Sequence, residues 1–306
     1  MEIISIIGPT ACGKKEIALH LINTFGQNLR FISCDSRKVY RHMDIGTAKP
    51  PPEIRHYFLL IDIRDPDKIY SAGDFVRDAE RFAKDLIYSG VVPVIIGGTP
   101  LYYKALFSEF FEEPNKDPAI RKYILDKMKN FGLEKLYEEL KEKDPESAAK
   151  LHPNDWIRIT RSLEIIYTLG IPASEARKKM KRERIFEPQY IGLALPTEIL
   201  YAKIEERTKK MFEGKLLEET ENLLKMGYNE NLPSMNTIGY KEAIKCLKGE
   251  WDNETCINKI IRNTKIYARR QMRFFKTFEN VVWFDLAKDK EKLIHHLESE
   301  IEKRLQ

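Results

Sequence analysis

At 306 residues the chain can hold one large domain, or one domain carrying an insertion, and it closes a core without disulfide or metal staples. Charged residues make up 32%, the net charge is +5, and none of the four cysteines (Cys12, Cys34, Cys246, Cys256) forms a CxxC pair; a disulfide framework and a zinc knuckle are excluded, and reduced thiols in a cytosolic protein are expected. No apolar run reaches about 18 residues and no signal-peptide pattern opens the chain, so no membrane segment is expected.

Glu2–Ile7 is an apolar run ending at Gly8 and reads as a buried strand. Lys14–Phe25 carries Ile17, Leu21 and Phe25 at helical spacing. Arg30–Ser33, Phe58–Ile63 and Val92–Ile96 read as further strands. Between the last two, Ser71 caps a helix reaching Tyr88, with Asp74 three positions on. Such alternation predicts a parallel sheet covered on both faces. The pattern changes after about residue 111. Asp117-Pro118, Asp144-Pro145 and Asn154 or Asp155 open successive helices, with Ile120, Ile124 and Met128, then Leu133, Leu136, Tyr137 and Leu140, then Trp156, Ile159, Leu163 and Ile166 as their apolar faces. The expected fold class is therefore α/β: a P-loop parallel sheet core covered by helices (1–110 with 187–306) and an all-helical insertion (111–186). Tyr190–Leu195 resumes the core as a strand, Thr197 to about Phe278 is helical with loops near Gly227 and Gly249, and Val281–Asp285 is a last strand.

The chemistry begins at Gly8-Pro9-Thr10-Ala11-Cys12-Gly13-Lys14, which has the spacing G-x-x-x-x-G-K between a strand and a helix. Backbone N–H groups of such a loop, with the positive end of the following helix, bind anionic oxygens, and Lys14 reaches the outer phosphate. The hydroxyl residue that normally follows and holds magnesium is replaced by Lys15, which either adds positive charge or points to solvent. Asp35 follows the second strand, at the strand ends where open α/β sheets bind ligands; it can accept a proton, hold a metal, or only cap the next helix. Phe58–Asp62 resembles the strand-plus-aspartate that holds magnesium in nucleotidases, which keeps a phosphoryl-transferring kinase in play.

Seven segments occur in order: GPTACGKK, DSRKVY, DIGTAKP (Asp44–Pro50), YSAGDF (Tyr70–Phe75), GGTPLY (Gly97–Tyr102), HPND (His152–Asp155) and IGYKE (Ile238–Glu242). Together they resemble the bacterial tRNA dimethylallyltransferase family, also called tRNA isopentenyltransferases, over nearly the whole chain. The resemblance implies transfer of a dimethylallyl group from its diphosphate, with Mg2+, to the exocyclic amine of the adenosine 3′ to the anticodon, by a monomer. It implies that Asp35 is the general base, that Thr10 and Arg207 contact the leaving diphosphate, and that Gly8, Pro9, Ala11, Cys12, Gly13, Lys14 and Lys15 complete the diphosphate cradle. The implied tRNA contacts are Asp35, Ser36, Arg37, Lys38 and Thr99; Ile157, Arg158, Ile159, Thr160 and Arg161; and Asn236, Thr237, Ile238, Gly239, Tyr240 and Lys241. Lys15, Lys38 (commonly Gln) and Arg273 (commonly Thr) depart from the family pattern, and no metal ligand is assigned.

Between Thr255 and Lys276 there are seven Lys or Arg and no Asp or Glu. Lys259, Arg262, Lys265, Arg269, Arg273 and Lys276 recur every three or four residues, a stripe roughly 25 Å long on one helix. A solvated face normally mixes signs; a one-signed stripe suits a phosphate backbone, so Arg269 and Arg273 join the expected tRNA contacts. Arg158 with Arg161, and Lys178–Arg184, offer a second basic surface for the anticodon arm. The stripe disfavours an isopentenyltransferase acting on free adenylate, since a nucleotide needs no long cationic track. A non-catalytic RNA-binding protein would leave Asp35 and the loop without a purpose.

Overall fold

The computed structural model describes residues 1–108, 110–111 and 117–306; residues 109 and 112–116, at the expected start of the insertion, lie outside the described residues. In chain order the elements are β1 (Glu2–Ile7), α1 (Lys14–Phe25), β2 (Leu29–Cys34), α2 (Pro52–Arg55), β3 (Phe58–Leu59), α3 (Ala72–Tyr88), β4 (Val92–Gly97) and α4 (Pro100–Phe107). Then come β5 (Phe110–Phe111), α5 (Pro118–Lys143), α6 (Pro145–Ala149), α7 (Trp156–Leu169), α8 (Ala173–Lys179) and β6 (Lys181–Arg182). The chain ends with β7 (Glu187–Ala194), α9 (Thr197–Glu213), α10 (Leu216–Lys225), α11 (Tyr240–Leu247), α12 (Asn253–Phe275), β8 (Val282–Asp285) and α13 (Lys290–Leu305). Two compact units result, Met1–Phe107 with Ile185–Gln306, and Ser108–Arg184.

The first unit is built on a six-stranded sheet of order β3-β2-β4-β1-β7-β8, every pairing parallel. Its strands are apolar on both faces because helices cover both. Ile4, Ile6, Phe31, Val94 and Ile96 pack with Ile17 and Leu21 of α1 and with Leu293, Leu297 and Ile301 of α13. Ser71 and Asp74 form the expected capping box on α3: the Asp74 amide donates to Ser71 Oγ at 3.1 Å and the Ser71 amide to Asp74 Oδ2 at 2.8 Å.

The strand expected over Phe58–Ile63 stops at Leu59, because Leu60 (φ 63°) and Asp62 (φ 58°) leave the extended region. Register then places the ligand-facing loops. Ile7 of β1 and Cys34 of β2 both align with Gly97 of β4. Gly8, Asp35 and Gly98, each the next residue, therefore emerge side by side at the C-terminal ends of three interior strands. Gly97 has to be glycine, since a Cβ there would collide with the Cys34 carbonyl.

The second unit has its own core of Ile124, Leu136, Leu140, Ile159, Leu163 and Ala176. Among the described residues it is helical but for one short antiparallel pair, Phe110–Phe111 against Lys181–Arg182. Asp117, Asp144 and Asp155 each cap the helix that follows, accepting from Ala119, Ser147 and Arg158 amides. Gly132 (φ 82°, ψ 165°) breaks α5 between the two apolar runs seen in the sequence.

Candidate active site

The loop Gly8–Gly13 crosses from β1 to α1. No side chain caps α1, whose N-cap is Gly13 at φ 107°, so its first-turn amides are left for an anion. A Cβ at Gly13 would also meet Leu286 Cδ1 at 2.8 Å. Lys14 is folded back over the loop, donating to the carbonyls of Gly8 (2.7 Å) and Pro9 (2.6 Å). Pro9 and Cys12 are buried, Ala11 is partly buried, and Lys15 is exposed.

Arg207 of α9 lies 197 residues from Thr10 in sequence, yet its Nη1 donates to Thr10 Oγ1 at 2.8 Å. Burial pulls the guanidinium below its ordinary value, against the attraction of Asp35 and Glu16. Asp35 Oδ1 accepts from the amides of Arg37 (2.9 Å) and Lys38 (3.3 Å), while Oδ2 has no hydrogen bond among the described residues. Oδ1 shapes the loop, which leaves Oδ2 as an oxygen that could accept a proton. Thr99 Oγ1 accepts from the Ser36 amide at 3.0 Å and its own amide donates to the Cys34 carbonyl, stitching the β4 loop to the β2 loop. Burial draws the Lys38 ammonium down to about 8; Arg207, Lys14 and Lys15 push the same way and Asp35 opposes them. Lys38, Arg207, Lys14 and Lys15 thus lie within electrostatic reach of one another against two carboxylates, Asp35 and Glu16, and the excess positive charge attracts a multiply charged anion.

The residue set does not fit a protein-held magnesium. Lys15 stands where the ligating hydroxyl is required. Both oxygens of Asp62 are committed: Oδ1 to Lys49 (2.5 Å) and Oδ2 to Arg55 (3.0 Å). Asp44 completes that cluster, and the Lys49 side chain is 0% exposed. Among the described residues no group of three or more His, Cys, Asp or Glu could hold a metal ion. The kinase reading, which needed Asp62 on a metal, loses its ligand here.

Several expected tRNA contacts point inward. Ile159 and Tyr240 are 0% exposed and Thr160 is 2% exposed, because each sits on the apolar face of its helix. Thr237 and Gly239 are buried with them. Asn236 is exposed, and Ile238 and Lys241 are partly exposed. Tyr240 donates its hydroxyl to Glu219 at 2.5 Å, and Glu219 also accepts from the amides of Asp44, Ile45 and Gly46. The DIGTAKP and IGYKE segments thus serve each other: three converging amides hold an internal carboxylate. On α7, Ile157 and Arg158 are exposed, but Arg161 turns in to Glu164 at 2.8 Å, so the two arginines form no joint surface. Lys178 and Lys179 pair with Glu146 and Glu175.

The α12 stripe divides. Lys259 lies over Trp251 and Lys265 pairs with Glu205 at 2.6 Å. Arg262, Arg269, Arg273 and Lys276 are exposed, with no ion-pair partner among the described residues. On the opposite face Gln271 was passed over in the sequence. It accepts from the Thr10 amide at 2.9 Å and donates to the Gly98 carbonyl. Its signal was available: one glutamine between Ala268 and Phe275 on an otherwise apolar face.

The family model for IPP transferases matches residues 38–278. The tRNA dimethylallyltransferase of Thermotoga maritima is 42% identical over 291 residues, 94% of this chain and 93% of its own. That of Natranaerobius thermophilus is 38% identical over 93% of this chain and 86% of its own. Among solved structures, the tRNA isopentenylpyrophosphate transferase of Bacillus halodurans is 33% identical with a TM-score of 0.71, over 99% of this chain and 96% of its own. A eukaryotic dimethylallyltransferase acting on tRNA reaches a TM-score of 0.82 at 25% identity, over 99% of this chain and 80% of its own. Likeness that runs from the P-loop strand through the last helices, in sequence and in fold, establishes that the chain belongs to the IPP transferase family.

Proposed function

We propose that the chain transfers a dimethylallyl group from dimethylallyl diphosphate to N6 of the adenosine 3′ to the anticodon of a tRNA. The observation that carries this is the pairing of Arg207 with Thr10 across the P-loop, with Asp35 alongside and an unpaired arginine stripe on α12. An adenine amine is a weak nucleophile because its lone pair is delocalised into the ring. In the transfer, the N6 lone pair forms a bond to C1 of the dimethylallyl group and the C1–O bond to diphosphate breaks. The N6 proton passes to Asp35, a step typically worth about 10²–10⁴-fold. Lys14, Arg207, the Thr10 hydroxyl and the loop amides meet the charge that develops on the departing diphosphate.

The target base has to leave its stack, at a cost of a few kcal/mol. Arg269 and Arg273, with Arg262 and Lys276 on the same face, offset that cost through phosphate contacts. Ser36, Arg37, Lys38, Thr99, Asn236, Ile238 and Lys241 are the accessible candidates around the base, and Ile157 with Arg158 those of the helical unit for the anticodon arm. Mg2+ belongs to this reading as an ion carried in by the diphosphate. In this reading the protein acts in the cytoplasm as a monomer.

The test incubates the purified chain with labelled dimethylallyl diphosphate and either unmodified tRNA, AMP, or neither. Label in tRNA alone supports the proposal, and Asp35→Asn then lowers the rate by about 10²–10⁴-fold without weakening donor binding. Label in AMP alone moves the protein to a free-nucleotide transferase. An unaffected Asp35→Asn variant removes Asp35 from the role of base.

A further inference from the structure

Gln271 is 3% exposed on the buried face of α12. Its two amide ends serve two loops that meet at the C-terminal ends of β1 and β4. Oε1 accepts from the Thr10 amide at 2.9 Å, and Nε2 donates to the Gly98 carbonyl. Gly98 leaves the room for this, since a Cβ there would come within 2.6 Å of Gln271 Nε2. Thr10 is held twice, by its amide from Gln271 and by its hydroxyl from Arg207 at 2.8 Å. Arg269 and Arg273 each stand two positions from Gln271, about 200° round the helix, and both are exposed. One rigid helix therefore presents arginines outward and holds the P-loop threonine inward.

We infer that Gln271 is a positioning residue for the transfer, coupling the docking of RNA on the outer face of α12 to the placement of Thr10 against the donor diphosphate. The inference rests on the proposed reading of the α12 stripe as an RNA surface. A partly buried amide that loses its acceptor pays part of a desolvation cost, so the bond ties Thr10 to α12. Binding linkage is reciprocal: RNA on α12 tightens donor binding by the factor by which donor tightens RNA binding.

The experiment measures, by calorimetry on the full chain, the Kd of the unreactive donor analogue dimethylallyl thiolodiphosphate with and without an unmodified anticodon stem-loop RNA. The wild-type protein binds the analogue roughly five-fold tighter with RNA, the size of one net hydrogen bond. Gln271→Met, similar in length and without an amide, brings that ratio close to one while RNA affinity is kept. Gln271→Glu keeps an acceptor for the Thr10 amide and so keeps the ratio, while its charge weakens analogue binding throughout. A wild-type ratio of one, or an undiminished ratio in Gln271→Met, overturns the inference. If Gln271→Met fails to fold, amide exchange on the wild-type protein decides: RNA alone slows exchange in peptides covering residues 8–15, and unchanged exchange there overturns it. Label transfer to tRNA is measured on the same preparation. Transfer without coupling sinks only the role of Gln271, whereas absence of transfer removes the proposed function and this inference with it.

Discussion

Replacing Arg207 with alanine separates a group that serves the leaving diphosphate from one that serves RNA. The residue is well suited to the test. Its neighbours Ile204 and Thr208 are buried in the core and keep α9 in place, while the guanidinium itself donates to Thr10 Oγ1 at 2.8 Å. A charge-assisted hydrogen bond to the bound donor is worth about 1.5–3 kcal/mol, much of it already present in the ground state. The part that changes the rate is the charge arriving on the bridging oxygen as the C1–O bond breaks. Losing one preorganised donor to such an oxyanion costs about 10²–10³-fold in kcat, about 2.7–4 kcal/mol. Arg207 is only partly buried, and solvent takes up some of the loss, so about 10²-fold is expected. Arg207→Lys keeps the charge without the planar fork and recovers only part of the rate. Single-turnover transfer with tRNA in excess reads the chemical step, and calorimetry with the unreactive analogue reads donor binding. An unchanged single-turnover rate with a loss confined to tRNA affinity would falsify the assignment of Arg207 to the diphosphate.

Four further outcomes follow from the same geometry. Lys38 titrates at about 8, so its charge is complete below that value and disappears as pH rises through it; analogue affinity should fall across that range, and Lys38→Gln should flatten the fall. The sign for stability is the reverse. The buried charge costs the fold most below about 8, and the cost fades between there and the ordinary lysine range, so Lys38→Gln should raise the denaturant midpoint at neutral pH and lose that advantage in alkali. Lys49→Met leaves Asp44 and Asp62 facing each other with Arg55 alone, and urea titration should show a loss of about 3 kcal/mol, the low end for a broken buried pair because both aspartates are partly exposed; a loss below about 1 kcal/mol would show that Arg55 suffices. Arg269→Ala with Arg273→Ala should lower the slope of log affinity for tRNA against log salt by about 0.7 per residue; an unchanged slope would make the stripe a solvated face.

Features that depend on short spacing were legible in the chain before it folds. The P-loop needs only a strand, seven residues and a helix start, and its geometry is local. The Ser71–Asp74 box, the aspartate caps at 117, 144 and 155, and the buried strands were legible for the same reason. The parallel sheet followed from alternation, since strands joined through helices must run the same way.

Tertiary structure decided which polar side chains were partners and which were free. Asp62 reads as a metal-holding aspartate from its strand alone, but Lys49 and Arg55 take both its oxygens once the loop folds back. Arg161 and Arg158 look equivalent three residues apart, yet Glu164 draws one inward. Tyr240 lies in a segment that resembles an RNA contact and is instead the lid on Glu219. Gln271 meets Thr10 across 261 residues of chain. No periodicity encodes such a meeting: a helix pattern states which face is buried, while the partner of a buried polar group depends on which element packs there, because that group is stable only where a complementary donor or acceptor happens to be delivered.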